Sequence, residues 1–419
     1  MIKYIDLFCG LGGFHISVEN ACKRLNLQSE CVLASDIKPM AIKTYYDNFN
    51  ILPQGDICKI PIQNIPNFDI LCAGFPCQPF SSAGKRLGFE DTRGTLFFEI
   101  ARILKDKQPQ FAILENVEGL LTHNKGNTFS TIQNVLKDIG YNVYFKILNA
   151  CDFGLPQARK RIYIVCSKHP IIDNELLFQN NLYKENVVIK DILYNKNNVY
   201  KEDDFTQKLL SHYNFETLQG KTINDKRGGE NNIHSWDIGL RGDVSNEEKL
   251  ILKTISQERR KRYIANEQNV PWTDGLGLTI NQIQNIIHFK QSDIKKYLNH
   301  LIQCGYIKET YPKINKQLDT SKEKIYDIST GKLSFPITNI LDINSIAPTL
   351  TATDLPHIAI VDKNGIRNIN KQELLGLFGY PKTYNIKEQT LSNCYDLFGN
   401  TICINVVENI IFNLLSLFY

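Results

Sequence analysis

Cys77 sits in the run Gly74-Phe75-Pro76-Cys77-Gln78-Pro79-Phe80-Ser81, with a proline on either side of it. Proline fixes its own φ and restricts the residue before it, so the thiol is carried on a stiff turn. An apolar, strand-like stretch over residues 68–73 delivers this turn to the carboxyl edge of a sheet. A thiol held there can attack a substrate or can simply belong to a turn. Two further elements could complete a reactive set. Glu115 ends the apolar run Phe111-Ala112-Ile113-Leu114, which places a carboxylate at a strand end. Gln157-Ala158-Arg159-Lys160-Arg161 precedes another apolar run, and in an extended chain Arg159 and Arg161 share one face. A nucleophile, an acid and cationic donors at the strand ends of one sheet have the composition of a catalytic centre. Taken singly, Glu115 could equally be a capped strand end.

The elements that must position these groups are legible over residues 1–168. Short apolar runs at 4–8, 31–34, 68–73, 111–114 and 162–166 are bounded by Gly, Pro or Asp, as buried parallel strands are. Helical periods cover 95–104 and 129–139 between them. The expected fold is α/β, a doubly wound and mostly parallel sheet. Its first βα turn reads Asp6-Leu7-Phe8-Cys9-Gly10-Leu11-Gly12-Gly13-Phe14, where glycines permit a tight turn and close backbone approach to a ligand. The next strand ends in Ser35-Asp36, an acid placed to bind ribose hydroxyls, and Gly55-Asp56-Ile57 could meet an adenine edge. Together they describe a site for an adenosine-containing cofactor. The lack of a strict Gly-x-Gly-x-x-Gly cradle points away from NAD.

Residues 169–345 differ in character, being rich in Asn and Lys with weaker periodicity, and are expected to form a smaller, irregular second domain. Within them, 278–307 has a design of its own. Ile280, Ile283, Ile286 and Ile287 mark one helix; Ile294, Tyr297, Leu298 and Leu301 mark a second, capped by Ser292-Asp293 and ending at Gly305. A strand follows. This is a helix-turn-helix with a wing, or else an ordinary helical hairpin. The upstream run Glu258-Arg259-Arg260-Lys261-Arg262 is a solvated helix face or a phosphate clamp. Residues 346–419 return to the first domain. The net charge of +4 is too small to identify a polyanion binder, so any nucleic-acid affinity must be local. Eleven cysteines without a Cys-x-x-Cys spacing predict reduced thiols and no metal site. No apolar run reaches the roughly 18 residues of a membrane span, and the apolar stretch 410–419 is expected to pack as a helix.

The order of these motifs resembles the cytosine-C5 DNA methyltransferases of bacterial restriction–modification systems. The likeness runs through the loop 6–14, Ser35-Asp36, Gly55-Asp56-Ile57, the turn 74–81, Arg93-Gly94-Thr95-Leu96, Glu115-Asn116-Val117 and the run 157–161. It resumes with Ala347-Pro348-Thr349-Leu350-Thr351 and Phe398-Gly399-Asn400-Thr401. Covering 1–168 and 346–415, it implies the S-adenosylmethionine-dependent methyltransferase fold, with the middle segment as target-recognition domain.

The resemblance further implies roles. Cys77 is the nucleophile that adds to C6 of a flipped cytosine; Glu115 bonds N3 and the exocyclic amine; Arg159 and Arg161 are donors around the base, Arg161 to its O2. Phe8, Gly10, Gly12, Asp36, Ile37, Asp56, Ile57, Leu96 and Asn400 would contact S-adenosyl-L-methionine. Gln78, Ser81, Lys85, Arg86, Thr349 and Thr351 would contact double-stranded DNA, with 81–88 as a loop closing over it. The implied setting is the bacterial cytoplasm, a monomer at the nucleoid, and a cognate restriction endonuclease as partner. Three departures stand out. Ile37 replaces a usual aromatic, Asp36 a commoner Glu, and 367–373 matches the family's Thr-Pro-Arg-Glu-like run only at Arg367 and Glu373. A tRNA cytosine-5 methyltransferase of the same family, or an inactive DNA-binding relative, are the alternatives. The tRNA branch's Cys-Phe-Thr tripeptide is absent, and so is the Pro-Pro-Tyr-type motif of amino-methylating enzymes.

Overall fold

The computed structural model describes residues 1–75, 96–184, 186–194, 196, 198–271 and 275–419. The chain forms two compact units: residues 1–196 with 343–355 and 370–419, and residues 197–342 with 356–369.

The first unit is built on a six-stranded sheet. Its strands are β1 (Ile2–Leu7), β2 (Ser29–Ser35), β3 (Ile70–Gly74), β4 (Phe111–Val117), β5 (Asn142–Asn149) and β6 (Lys160–Ser167), in the order β2-β1-β3-β4-β6-β5. β1 pairs in parallel with both β2 and β3, so the strand order reverses between β1 and β3. Such a switch point opens a crevice at the carboxyl ends of the strands. The loop after β1 leaves from that place, and β3 ends there.

Side chains alternate across β1, and the alternation makes the layers. Ile5 and Leu7 join a core with Phe97, Ile100, Ile103 and Leu104 of α3 (Leu96–Lys107) and Ile132 and Leu136 of α4 (Asn127–Asp138). Tyr4 points the other way, its ring meeting edge-on that of His15 in α1 (Gly13–Arg24) at 5.6 Å between centroids. α2 (Pro39–Phe49) starts with proline at its first position, where no hydrogen bond is lost. The helix Ile404–Ser416 packs along α1. Ser17 Oγ donates to the Ile404 carbonyl at 3.2 Å, and Asn20 Nδ2 and Arg24 Nε donate to the Glu408 carboxylate at 2.8 and 2.6 Å. By length and composition the stretch Leu391–Ser416 is apolar enough to cross a membrane, but 89% of its most apolar 18-residue window is buried inside the protein.

Two expectations about the sheet need correcting. Residues 162–166 do not form a parallel strand: β6 runs antiparallel to both β4 and β5. An apolar run reports burial on both faces and carries no direction. β5 had no counterpart among the expected strands. Its residues are mostly half-buried, as befits an edge strand, so it lacks the continuous apolar run by which the others were found.

The second unit starts at 197, beyond the expected boundary at 169, and it also takes in 356–369, which had been assigned to the return segment. The reason is strand pairing. Ile358–Asp362 pairs with Asn339–Ile340 and with Gly365–Asn368 in a five-stranded sheet that also holds Thr222–Ile223 and Asn232–Ile233. A separate core gathers the helices Asn246–Glu258, Ile280–Ile287 and Gln291–Gln303. The expected pair of helices in 278–307 is present, but Ser292 and Asp293 do not cap the second. Its N-cap is Lys290, without a side-chain bond, and both residues lie in the first turn.

Candidate active site and cofactor crevice

After β1 the chain turns through Phe8 (φ 56°), Gly10 (φ 51°) and Gly12 (φ 72°) before entering α1. At Gly12 a Cβ would run into the Phe49 ring, so both conformation and packing require glycine. At Gly10 it would meet, among the described residues, only the Phe8 carbonyl at 3.9 Å, which leaves the loop open to a ligand. The Asp36 carboxylate ties the loop to the end of β2, Oδ2 accepting from the Gly10 N–H at 2.9 Å and Oδ1 from the Lys38 N–H at 2.8 Å. The short aspartate thus becomes part of the loop's own framework. Beside it Ile37 is 72% exposed, an apolar surface left without cover. Asp56 caps the turn Ile57–Lys59 by accepting from the Cys58 N–H at 3.0 Å. Ile57 is only 2% exposed and belongs to the core, so its side chain is not available to a ligand. Phe8 likewise packs partly against that core.

Asn400 reaches the same loop by relay. Its Nδ2 donates to Asp396 Oδ1 at 3.1 Å, and Lys38 Nζ lies 2.9 Å from Asp396 Oδ2. Leu96 is half-buried at the first residue of α3. An open glycine turn, carboxylates for hydroxyl or amine groups and an exposed aliphatic patch suit an adenosine-type cofactor. The donor set fits the group implied by the sequence.

The acid and one guanidinium meet on the next strands. Register places Gly74 opposite Glu115 across β3 and β4, and Val117 opposite Arg161 across β4 and β6. Arg161 Nε is 3.1 Å from Glu115 Oε1, with the two side chains 12% and 11% exposed. Burial lifts the Glu115 carboxyl above the usual carboxylate range, and the Arg161 and Arg159 guanidiniums pull it part of the way back. Its proton is therefore held to a higher pH than that of an ordinary glutamate. Because β6 is antiparallel, its first residues lie at the carboxyl end of β4. A parallel β6 would have carried Arg161 to the opposite edge.

The geometry gives Asn116 a specific structural part. Its Nδ2 donates to the Phe75 carbonyl at 2.8 Å and its Oδ1 accepts from the Val117 N–H at 2.8 Å. The exit of β3, two residues before Cys77, is thereby pinned beside Glu115. The adjacency of Asn116 to Glu115 was the only signal in the sequence.

Arg159 does not join Arg161. It is 3% exposed and spends its donors on carbonyls: Nη1 to Leu350 at 2.9 Å, and Nη2 to Thr401 at 2.8 Å and Gly399 at 3.3 Å. Its guanidinium also lies over the Phe378 ring, 5.4 Å from the centroid. Of its three nitrogens, Nε is buried and without a partner among the described residues. Arg159 therefore joins the 350 and 399–401 segments to the sheet. The Thr349 hydroxyl donates to the Ala158 carbonyl at 2.7 Å and that of Thr351 to Asp354 Oδ2 at 2.7 Å, so both hydrogens are used within the protein. Cys77, Gln78, Ser81, Lys85, Arg86 and Arg93-Gly94-Thr95 lie outside the described residues. No cluster of metal-ligating side chains occurs among the described ones.

A doubly wound sheet with a nucleoside-type crevice at its switch point defines the class as a methyltransferase fold. Its overall likeness is to the crystal structure of the S. pombe Dnmt2 methyltransferase, at a TM-score of 0.54 and 17% identity over the full length of both chains. Residues 2–416 match the family of C-5 cytosine-specific DNA methylases, and the chain belongs to that family. It is 45% identical to the type II methyltransferase M.NlaIV of Neisseria lactamica over 97% of each chain. Identity to M.BanI of Aneurinibacillus aneurinilyticus is 39%, over 98% of this chain and 95% of the relative. The protein is thus an S-adenosylmethionine-dependent cytosine-5 methyltransferase.

Proposed function

We propose that this enzyme methylates C5 of one cytosine within a specific duplex DNA sequence, through a transient covalent bond between Cys77 and C6 of the flipped base. The observation that carries the reading is the Glu115–Arg161 pair. A proton-retaining carboxyl and a guanidinium, 3.1 Å apart and nearly dry, stand beside the strand that ends at Gly74, three residues before Cys77 in the sequence.

Attack at C6 pushes charge toward N3 and O2. Glu115 donates a proton or hydrogen bond at N3 and accepts from the exocyclic amine, while Arg161 donates to O2. C5 thereby becomes nucleophilic. Bound S-adenosylmethionine supplies the electrophilic methyl group. Transfer of the C5 proton to water acting as base then restores the C5–C6 double bond as the Cys77 sulfur leaves as thiolate. The base must first leave the stack, at a cost of a few kcal/mol. The thiol nearest this chemistry in the described chain is a poor rival. Cys403 is 1% exposed, and burial pushes it up to about 11 despite the neighbouring Arg159 and Arg161.

Gly10, Gly12, Asp36, Ile37 and Asp56 would hold the cofactor directly, with Phe8, Ile57, Leu96 and Asn400 shaping the crevice. The type II relatives support a protective role beside an endonuclease that cuts the same site. The decisive measurement is bisulfite sequencing of plasmid DNA treated with purified enzyme. Wild type is expected to convert one cytosine per recognition site to a protected base. Cys77→Ser is expected to yield none while binding S-adenosylmethionine as before; full turnover by that variant removes the nucleophile assignment. Methylation of tRNA without methylation of duplex DNA would overturn the choice of substrate.

A further inference from the structure

Resting on duplex DNA as substrate, we infer that the second unit reads the target with a winged helix whose helix Gln291–Gln303 lies in the major groove. The chain order carries the assignment. Helix Asn246–Glu258 comes first and is extended by the short helix Arg262–Glu267; a single bridge from Leu278 to Tyr326 follows, and then helix Ile280–Ile287. A turn over 288–290, entered through His288 at φ 57°, leads into helix Gln291–Gln303. Strand Ile307–Thr310 then pairs antiparallel with Ile325–Ile328, the strand that carries the Leu278 bridge. Four helices and three extended segments share one core, through Ile251, Leu252 and Ile255, then Ile264 and Ala265, then Ile283, then Ile294, Leu298 and Leu301. An ordinary helical hairpin requires neither the other two helices nor the sheet.

Between the paired strands lies the wing. Lys313–Ile314 pairs with Gln317–Leu318 across the two-residue turn Asn315 (φ 51°) and Lys316 (φ 70°). Lys313, Asn315, Lys316 and Gln317 are all exposed.

The proposed reading helix has a well-defined outer face. Ile294, Leu298 and Leu301 face the core, and Ser292, Lys296, Asn299 and Gln303 fall on the opposite side, all exposed. Lys296, Asn299 and Gln303 have no hydrogen-bond or ion-pair partner among the described residues. The helix's one acid, Asp293, lies in the first turn and off the centre of this face. An α-helix fits the major groove, and these side chains match base edges there: amides pair with adenine N6 and N7, lysine with guanine N7 and O6. In helix-turn-helix modules the first turns of the second helix contact bases. Ser292, Lys296 and Asn299 are therefore assigned to direct readout, and Lys313 and Lys316 of the wing to phosphates. The upstream basic run adds less than its composition suggests. Arg259 is 7% exposed with Nε and Nη2 each 3.0 Å from Asp327 Oδ1, and Lys261 pairs with Glu258 at 2.6 Å.

The test compares full-length wild type with Lys296→Ala, Asn299→Ala and the double variant K313A/K316A. Methylated sites are read by bisulfite sequencing, and binding by fluorescence anisotropy of labelled duplexes over a salt series. Lys296→Ala and Asn299→Ala are expected to lower kcat/KM at the native site about 10- to 100-fold and to admit sites differing by one base pair. The wing variant is expected to weaken binding to every duplex alike and to reduce the slope of log K against log salt by about two. If wild type methylates duplex DNA while Lys296→Ala and Asn299→Ala keep both its site and its rate, the winged-helix assignment falls and the methyltransferase reading stands. If wild type methylates no duplex, both fall.

Discussion

At the scale of single residues, the four groups assigned to the chemistry separate into different kinds. Glu115 and Arg161 form a close, shielded pair, whereas Arg159 is consumed by three carbonyls and a ring. Residue types and spacing could suggest that two arginines two apart share a face. They could not say that a loop from position 350 and another from 399–401 would claim one of them. Glu115→Gln tests the surviving assignment. It preserves the shape and leaves an amide that cannot transfer a proton. Turnover of a short duplex with labelled methyl donor is expected to fall about 10²- to 10⁴-fold, with the affinity for S-adenosylmethionine unchanged. Activity within tenfold of wild type would remove Glu115 as the acid.

At the scale of elements, the stretch 367–373 shows how a departure in sequence can preserve a structure. Asn370 is the N-cap of helix Lys371–Phe378. Its Oδ1 accepts from the Glu373 N–H, and Glu373 Oε2 accepts from the Asn370 N–H, each at 2.9 Å. This is a complete capping box, with asparagine where the family commonly has threonine. The run departs from the family residue by residue, yet the helix needs only an oxygen at the cap and a carboxylate three positions on. Asn370→Ala should destabilise the first unit by about 1 kcal/mol in urea denaturation, and Asn370→Thr by a few tenths at most. Equal losses from the two would mean that the box contributes nothing beyond packing.

At the scale of the whole molecule, a buried carboxyl ties the stability of the second unit to pH. In the second unit, burial pushes the Asp225 carboxyl up to about 6, although the Ser235 hydroxyl and N–H both donate to it, at 2.6 and 2.7 Å. A carboxyl whose folded pKa is raised holds its proton in the native state. Its contribution is complete below the unfolded value of about 3.9 and is lost as pH rises through about 6. The loss is on the order of 2–3 kcal/mol. Asp225→Asn should therefore flatten the fall in the unit's denaturation midpoint between about pH 4 and 6.5. A variant that keeps the wild-type slope would place the titration elsewhere.

The sequence by itself determined the family, the cofactor class and most of the strands. Those rest on local signals: glycines in a turn, an acid at a strand end, apolar runs and motifs in a fixed order. It also determined both helices of the reading module, because 3.6-residue periodicity is written in one short segment. Only the tertiary structure decided the direction of β6, the fate of Arg159, the recapture of 356–369 by the second unit, and the bridge from Leu278 to Tyr326. Each of these depends on pairing between residues far apart in the chain. A strand's apolar run is the same read in either direction, and a guanidinium's partners arrive from segments hundreds of residues away. Of these, the direction of β6 bears most on function, since it sets Arg161 against Glu115 and makes two separate motifs one site.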